Sequence, residues 1–171
     1  MSLFPLIFWA VLIIVLAPAA TLVHEIGHAF ASLSLTRLPV SVQLGSKPSR
    51  SLVIGRLSLQ LRPLTGLVGF CKTQNMSTVS PARQAAVLLA GPLISIASFF
   101  GLGFVLAYTT LNPWLQFLVL RPLRWMFLIQ GVITILPIKY PGWFPGYANR
   151  PSDALQAIRL WSSRSSHDAA V

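Results

Sequence analysis

Acidic side chains are nearly missing from this sequence: Glu25, Asp153 and Asp168 are the whole set in 171 residues, against 13 Lys and Arg. Charged residues of both signs make up only 9% and hydrophobic ones 54%, with a mean hydropathy of +0.71. Soluble globular chains carry about 25% charged residues, so the scarcity excludes an ordinary soluble domain and points to an integral membrane protein. The length suits one domain of a few spans and leaves no room for an added soluble peptide-binding module.

Other shortages exclude other classes. Cys71 is the sole cysteine, which rules out an internal disulfide, and between Phe70 and Lys72 it reads as a small packed residue without a functional role. The basic residues never form a run of five or six interleaved with aromatics, so the net charge of +10 does not mark a nucleic-acid partner. Basic loops facing the cytoplasm account for it instead. Met1–Pro18 has neither the basic start nor the cleavage site of a secretory signal, and reads as part of a retained first span.

Long apolar runs, by contrast, are plentiful. About 20 apolar residues cross a hydrocarbon core of about 30 Å, and three stretches qualify or nearly so: residues 3–35, 82–111 and 123–138. Ser80-Pro81 supplies a helix start for the second, and Asn112-Pro113 ends it. Gly91-Pro92 predicts a kink there with an undonated carbonyl, and Gly101 and Gly103 allow another helix to approach closely. Trp114–Leu120 runs into Arg121-Pro122-Leu123-Arg124 and reads as a short interfacial or re-entrant piece, with Trp114 and Trp125 in the aromatic belt. Gln130 and Thr134 are the polar residues of the third span.

Between the first two spans the period changes. Val40, Val42 and Leu44, and then Leu57, Leu59 and Leu61, alternate with polar residues, the signature of half-buried strands. A hairpin or small sheet over residues 40–72 at the membrane surface is expected, with a turn at Gly45-Ser46-Lys47-Pro48-Ser49. It either caps the bundle or offers an edge strand for backbone pairing with an extended substrate. After the third span, Pro137–Pro151 is a loop dense in Pro, Gly and aromatics. It leads to a short amphipathic helix from Ser152-Asp153 to about Ser162, and then to a polar tail, residues 163–171, that reads as disordered with His167 solvated. Residues 1–162 form a single domain.

The basic residues set an orientation. Seven (Arg37, Lys47, Arg50, Arg56, Arg62, Lys72, Arg83) fall between spans one and two. Lys139, Arg150, Arg159 and Arg164 follow span three, and only Arg121 and Arg124 separate spans two and three. The positive-inside rule then puts the N-terminus outside and the C-terminus in the cytoplasm of what reads as the cell (inner) membrane. His24, His28 and Asp153 come to lie on the cytoplasmic side.

Within the first span stands TLVHEIGHAFA, Thr21–Ala31. Ionisable residues at such a position cost roughly 2.5 to 3.5 kcal/mol each on insertion scales, so they read as functional. His24 and His28, four apart, project from one helix face and can direct imidazole nitrogens at one metal ion, with Glu25 about 100° around the axis. Zinc held by two His and a carboxylate keeps an open position and lowers the pKa of water there to about 7. Glu25 would take the proton from attacking water and pass it to the leaving amine. The competing reading is a buried polar knot in which Glu25 pairs with Arg37 or a His and locks the bundle, which explains the burial and not the spacing.

HEIGH in the first span, AGPL at Ala90–Leu93 in the second, and ILPI at Ile135–Ile138 ending the third resemble the site-2 protease family of intramembrane zinc metalloproteases. The match covers most of the chain. The resemblance implies a three-helix core with a surface β element and one Zn2+ held by His24, His28 and a distal Asp, here Asp153. It also implies Glu25 as general base, and membrane protein or peptide substrates cleaved in or near a transmembrane segment. The sequence departs from the family pattern at Ala154, where Gly is common after the Asp, in the longer loop from Pro137 to Asp153, and at Ser95 and Thr134, where Asn is frequent. These departures motivate an alternative, a catalytically degenerate membrane scaffold or binding relative. A cation transporter fits less well, because three spans offer no repeat or pathway.

Overall fold

In the computed structural model the described residues are 4–45, 51–61, 68–144 and 146–168. Three helical stretches are long and apolar enough to cross a membrane: Ile7–Leu35, Pro81–Tyr108 and Pro113–Ile135. The first lies within helix α1 (Phe4–Leu35), whose 32 residues extend about 48 Å. Helix α2 (Pro81–Tyr108) begins at the expected Ser80-Pro81, although the Ser80 side chain makes no capping bond, and it stops short of the expected Leu111.

The third stretch corrects the sequence reading. Trp114–Leu120 is not a separate re-entrant piece. Helix α3 (Pro113–Leu115) passes through a π turn at Gln116–Leu120 straight into α4 (Arg121–Ile135). Pro122 has no N–H and would leave a gap in an α-helical ladder. The π turn just before it, with the Arg121 amide donating to the Gln116 carbonyl five residues back, carries the helix across. Arg121 and Arg124 therefore lie inside this helix. Arg124 donates to the Phe99 carbonyl at 3.1 Å and stacks 4.2 Å over the Phe99 ring, in a slot where a Cβ on Gly103 would come within 2.9 Å of the guanidinium.

The β element is a four-stranded mixed sheet in the order β2-β3-β1-β4, formed by β1 (Val40–Leu44), β2 (Ser51–Ile54), β3 (Leu57–Leu61) and β4 (Gly69–Thr73). The two strands expected from alternation, β1 and β3, are parallel neighbours and not arms of one hairpin. The hairpin is β2–β3, closed at Gly55-Arg56, where Gly55 takes φ +58°, a conformation that favours glycine. The expected turn at Gly45–Ser49 lies, from residue 46 on, outside the described residues. Val40 and Val42 are buried against Ala29 of α1, with Leu57, Leu59 and Cys71 around them, so the apolar face of the sheet sits on the C-terminal half of α1.

Helix α2 is the hub, packing against α1, α4 and α5 (Asp153–Asp168). Helix α5 continues past the expected end at Ser162, so the first part of the predicted disordered tail is helical. The bundle is more polar inside than outside: Phe30, Phe100 and Phe104 are exposed, while His24, Glu25, His28, Ser32 and Ser95 are buried. That inversion suits a lipid surround, where polar groups must find partners within the protein.

Small residues set the helix spacing. A Cβ on Gly27, inside the HEIGH motif, would sit 2.9 Å from the Ala90 carbonyl oxygen of α2. Gly27→Ala is therefore expected to destabilise the fold by about 1–3 kcal/mol, measured as a loss of denaturation midpoint in detergent micelles.

Candidate metal centre

Along α1 and one residue past its end, the buried residues Ala20, His24, His28, Ser32 and Thr36 recur every fourth position, with Glu25 and Ala29 beside them. This stripe faces α2 and β4. The His24 and His28 rings meet edge to face, centroids 4.8 Å apart, with their Nε2 atoms 3.2 Å apart. Asp153, at the first turn of α5, closes the triangle: Oδ2 lies 3.2 Å from His24 Nε2 and 3.5 Å from His28 Nε2. Small divalent ions bond N and O ligands at about 2.0–2.2 Å, which places tetrahedral ligand atoms about 3.3–3.6 Å apart. The three separations, 3.2, 3.2 and 3.5 Å, come within about 0.1 Å of that range, and the group can hold a metal ion.

The other ring nitrogens are engaged. His28 Nδ1 donates to the Val87 carbonyl at 2.7 Å and His24 Nδ1 meets Ser95 Oγ at 3.0 Å, both from α2. Such outer partners fix ring orientation and leave Nε2 for a metal. Ser95, 0% exposed, thus holds the His24 ring in place. Thr134, by contrast, bonds only carbonyls of its own helix, at Gln130 and Gly131. The α2 backbone passes so close to the imidazoles that a Cβ on Gly91 would fall on His28 Nε2 and come within 2.8 Å of His24 Nε2. Ser95 and Gly91 were not singled out as site residues from sequence. The available signals were a serine in an apolar span and the glycine one turn before it.

Asp153 arrives by a clasp. The long loop after Pro137 folds back so that Lys139 bridges Pro151, with Tyr140 and Arg150 paired through N–H and C=O at 2.9 Å. Residues 140–150 are thus an excursion whose ends meet. Buried Ser152 fastens the junction: its Oγ donates to the Leu136 carbonyl at 2.6 Å and accepts from the amides of Ile138 and Leu155, each at 3.3 Å. The Leu155 contact makes Ser152 the N-cap of α5. Burial alone would push the Asp153 carboxyl up, but hydrogen bonds from His24 and His28 outweigh it and hold the group at about 2.

Glu25 points beside the triangle toward β4. A Cβ on Gly69 would sit 2.8 Å from Glu25 Cγ, and the Cys71 backbone amide serves the carboxylate. Glu25 makes no ion pair with Arg37, which is exposed. A cavity of about 510 Å³ opens over His24, Glu25, His28 and Asp153, walled by α1, α4, β4 and the 140–150 loop. Comparison with protein-family models gives no match for this chain, and comparison with curated proteins gives none either.

Two outcomes follow. Ser95→Ala should weaken divalent-metal affinity about 10- to 100-fold while Thr134→Ala leaves it unchanged, both read by competition with a chromogenic chelator. The Cys71 thiol, pushed up to about 12 by burial and by Glu25 beside it, should resist maleimide at pH 8 in the folded protein and react only after unfolding.

Proposed function

We propose that the chain is an intramembrane zinc metalloprotease of the site-2 protease kind, cleaving peptide bonds in or near transmembrane segments of other proteins. The observation that carries this reading is the convergence of His24 and His28 of α1 with Asp153, some 125 positions later in the sequence, beside Glu25 and under one cavity. Two imidazoles and a carboxylate suit zinc, which would supply Lewis acidity toward the scissile carbonyl and a water. His24, His28 and Asp153 would hold the ion. Glu25, carried on the same helix turn, takes the proton from the attacking water and delivers it to the leaving amine.

The cavity reads as the substrate chamber. Ala17, Ala20, Met126, Ile129 and Ile133 give it apolar walls, suited to a membrane segment. The amides of Gly45 and Gln74 donate to the carbonyls of Val68 and Pro39. Alternation in an antiparallel ladder then turns the N–H and C=O groups of Gly69, Cys71 and Thr73 away from β1 toward the free edge. Gly69, Cys71 and Thr73 line the cavity, and an unwound substrate strand pairs along that edge.

The loop between the second and third spans, residues 109–112, has no Lys or Arg, which supports the N-out, C-in orientation with the site toward the cytoplasm. The degenerate-scaffold alternative drew on Ala154 and on the residues at 95 and 134. Ser95 supporting a His ligand favours the enzyme.

The test is cleavage of synthetic single-span peptides carrying an Asn-Pro break, reconstituted with zinc-loaded protein and read by mass spectrometry. Glu25→Gln should retain one zinc per chain yet lose about 10²- to 10⁴-fold in rate, and Asp153→Ala should lose the zinc. Undiminished cleavage by Glu25→Gln, or none by wild type across the panel, overturns the reading.

A further inference from the structure

The free edge of β4 is already occupied at one point. The Tyr147 hydroxyl accepts from the Gly69 amide at 2.8 Å and donates to the Gly69 carbonyl at 2.9 Å. One phenol thus satisfies both backbone groups that Gly69 turns outward, as an opposing strand residue would. The ring is held in place from three sides, its centroid 5.5 Å from Phe70, 5.6 Å from Tyr140 and 6.0 Å from Phe144. Gly146 precedes it at φ +78°, packed so closely on Val68 that a Cβ would come within 2.8 Å of Val68 Cγ1. The left-handed turn that aims Tyr147 at the strand therefore needs glycine. Burial, with Glu25 nearby, pushes the phenol up, so it stays a neutral donor and acceptor.

We infer that Tyr147 is a positioning residue that ends the substrate ladder at Gly69 and so sets which peptide bond comes to rest beside Glu25. The inference rests on the protease reading and on edge pairing along β4. Thr73 and the Cys71 carbonyl remain for the incoming strand, the Cys71 amide being taken by Glu25, and Gly69, the residue packed against Glu25, is closed to it. Side chains and backbone groups of a strand repeat every two residues. A ladder freed to include Gly69 can therefore seat the peptide one period further along and present a different bond.

Tyr147→Phe removes the one oxygen and keeps the ring. In the free, zinc-loaded full-length protein, the Gly69 amide should exchange with deuterium at least about tenfold faster than in wild type, with β1–β3 protection unchanged. In a Glu25→Gln background, addition of the Asn-Pro single-span peptide should restore protection at Gly69 only when Tyr147→Phe is also present. With Glu25 intact, Tyr147→Phe should yield a second product, cut two residues from the wild-type bond. Unchanged exchange at Gly69 overturns the contact. Faster exchange with no peptide protection at Gly69, or with the same single product, overturns the positioning role. If peptide protection appears as described while wild type cleaves nothing, the protease reading fails and the register role of Tyr147 stands.

Discussion

Everything in this molecule depends on keeping two imidazoles and two carboxylates inside an apolar helix bundle. Each such group is costly to insert unless a partner meets it, and among the described residues no buried side-chain polar atom lacks one. The partners come from elements far apart in the chain. Helix α2 provides Ser95 and the Val87 carbonyl, α5 provides Asp153, and β4 provides the Cys71 amide. The sheet, the long loop and the last helix are arranged around that requirement.

Much of this was legible in the sequence because the strongest signals are local. The HEIGH spacing on an apolar helix, Ser80-Pro81 at a helix start, and the alternation at Val40–Leu44 and Leu57–Leu61 all reappear as structure. Strand β2 escaped notice because Ser51–Ile54 is exposed along its whole length and shows no alternation. Strand β4 escaped because a buried glycine and a half-buried cysteine stand where large apolar residues would have marked it.

One stretch was misread and others were silent where a local signal gave way to contacts the linear order does not show. Arg121-Pro122 looks like a break, yet the π turn supplies an alternative ladder and Phe99 on α2 receives Arg124. The distance from Pro137 to Asp153 looks like an obstacle to a shared site, yet the Lys139–Pro151 bridge and the Ser152 clasp shorten it to a contact. Tyr147 sits in a loop whose aromatic density was visible, but nothing in the linear order tied it to Gly69, 78 positions away.

The approach of the α2 backbone at Gly91 has a kinetic consequence. With α2 lying against one side of the imidazole pair and Asp153 across the other, the cavity is an open approach to Nε2. For an ion held by all three side chains, release would include movement of the carboxylate. Because Asp153 is the first residue of a helix capped by Ser152 and tied to the end of α4, that movement means loosening the whole junction. The exchange of an ion held there would then follow the opening of a helix start, separately from how tightly the three side chains could bind it.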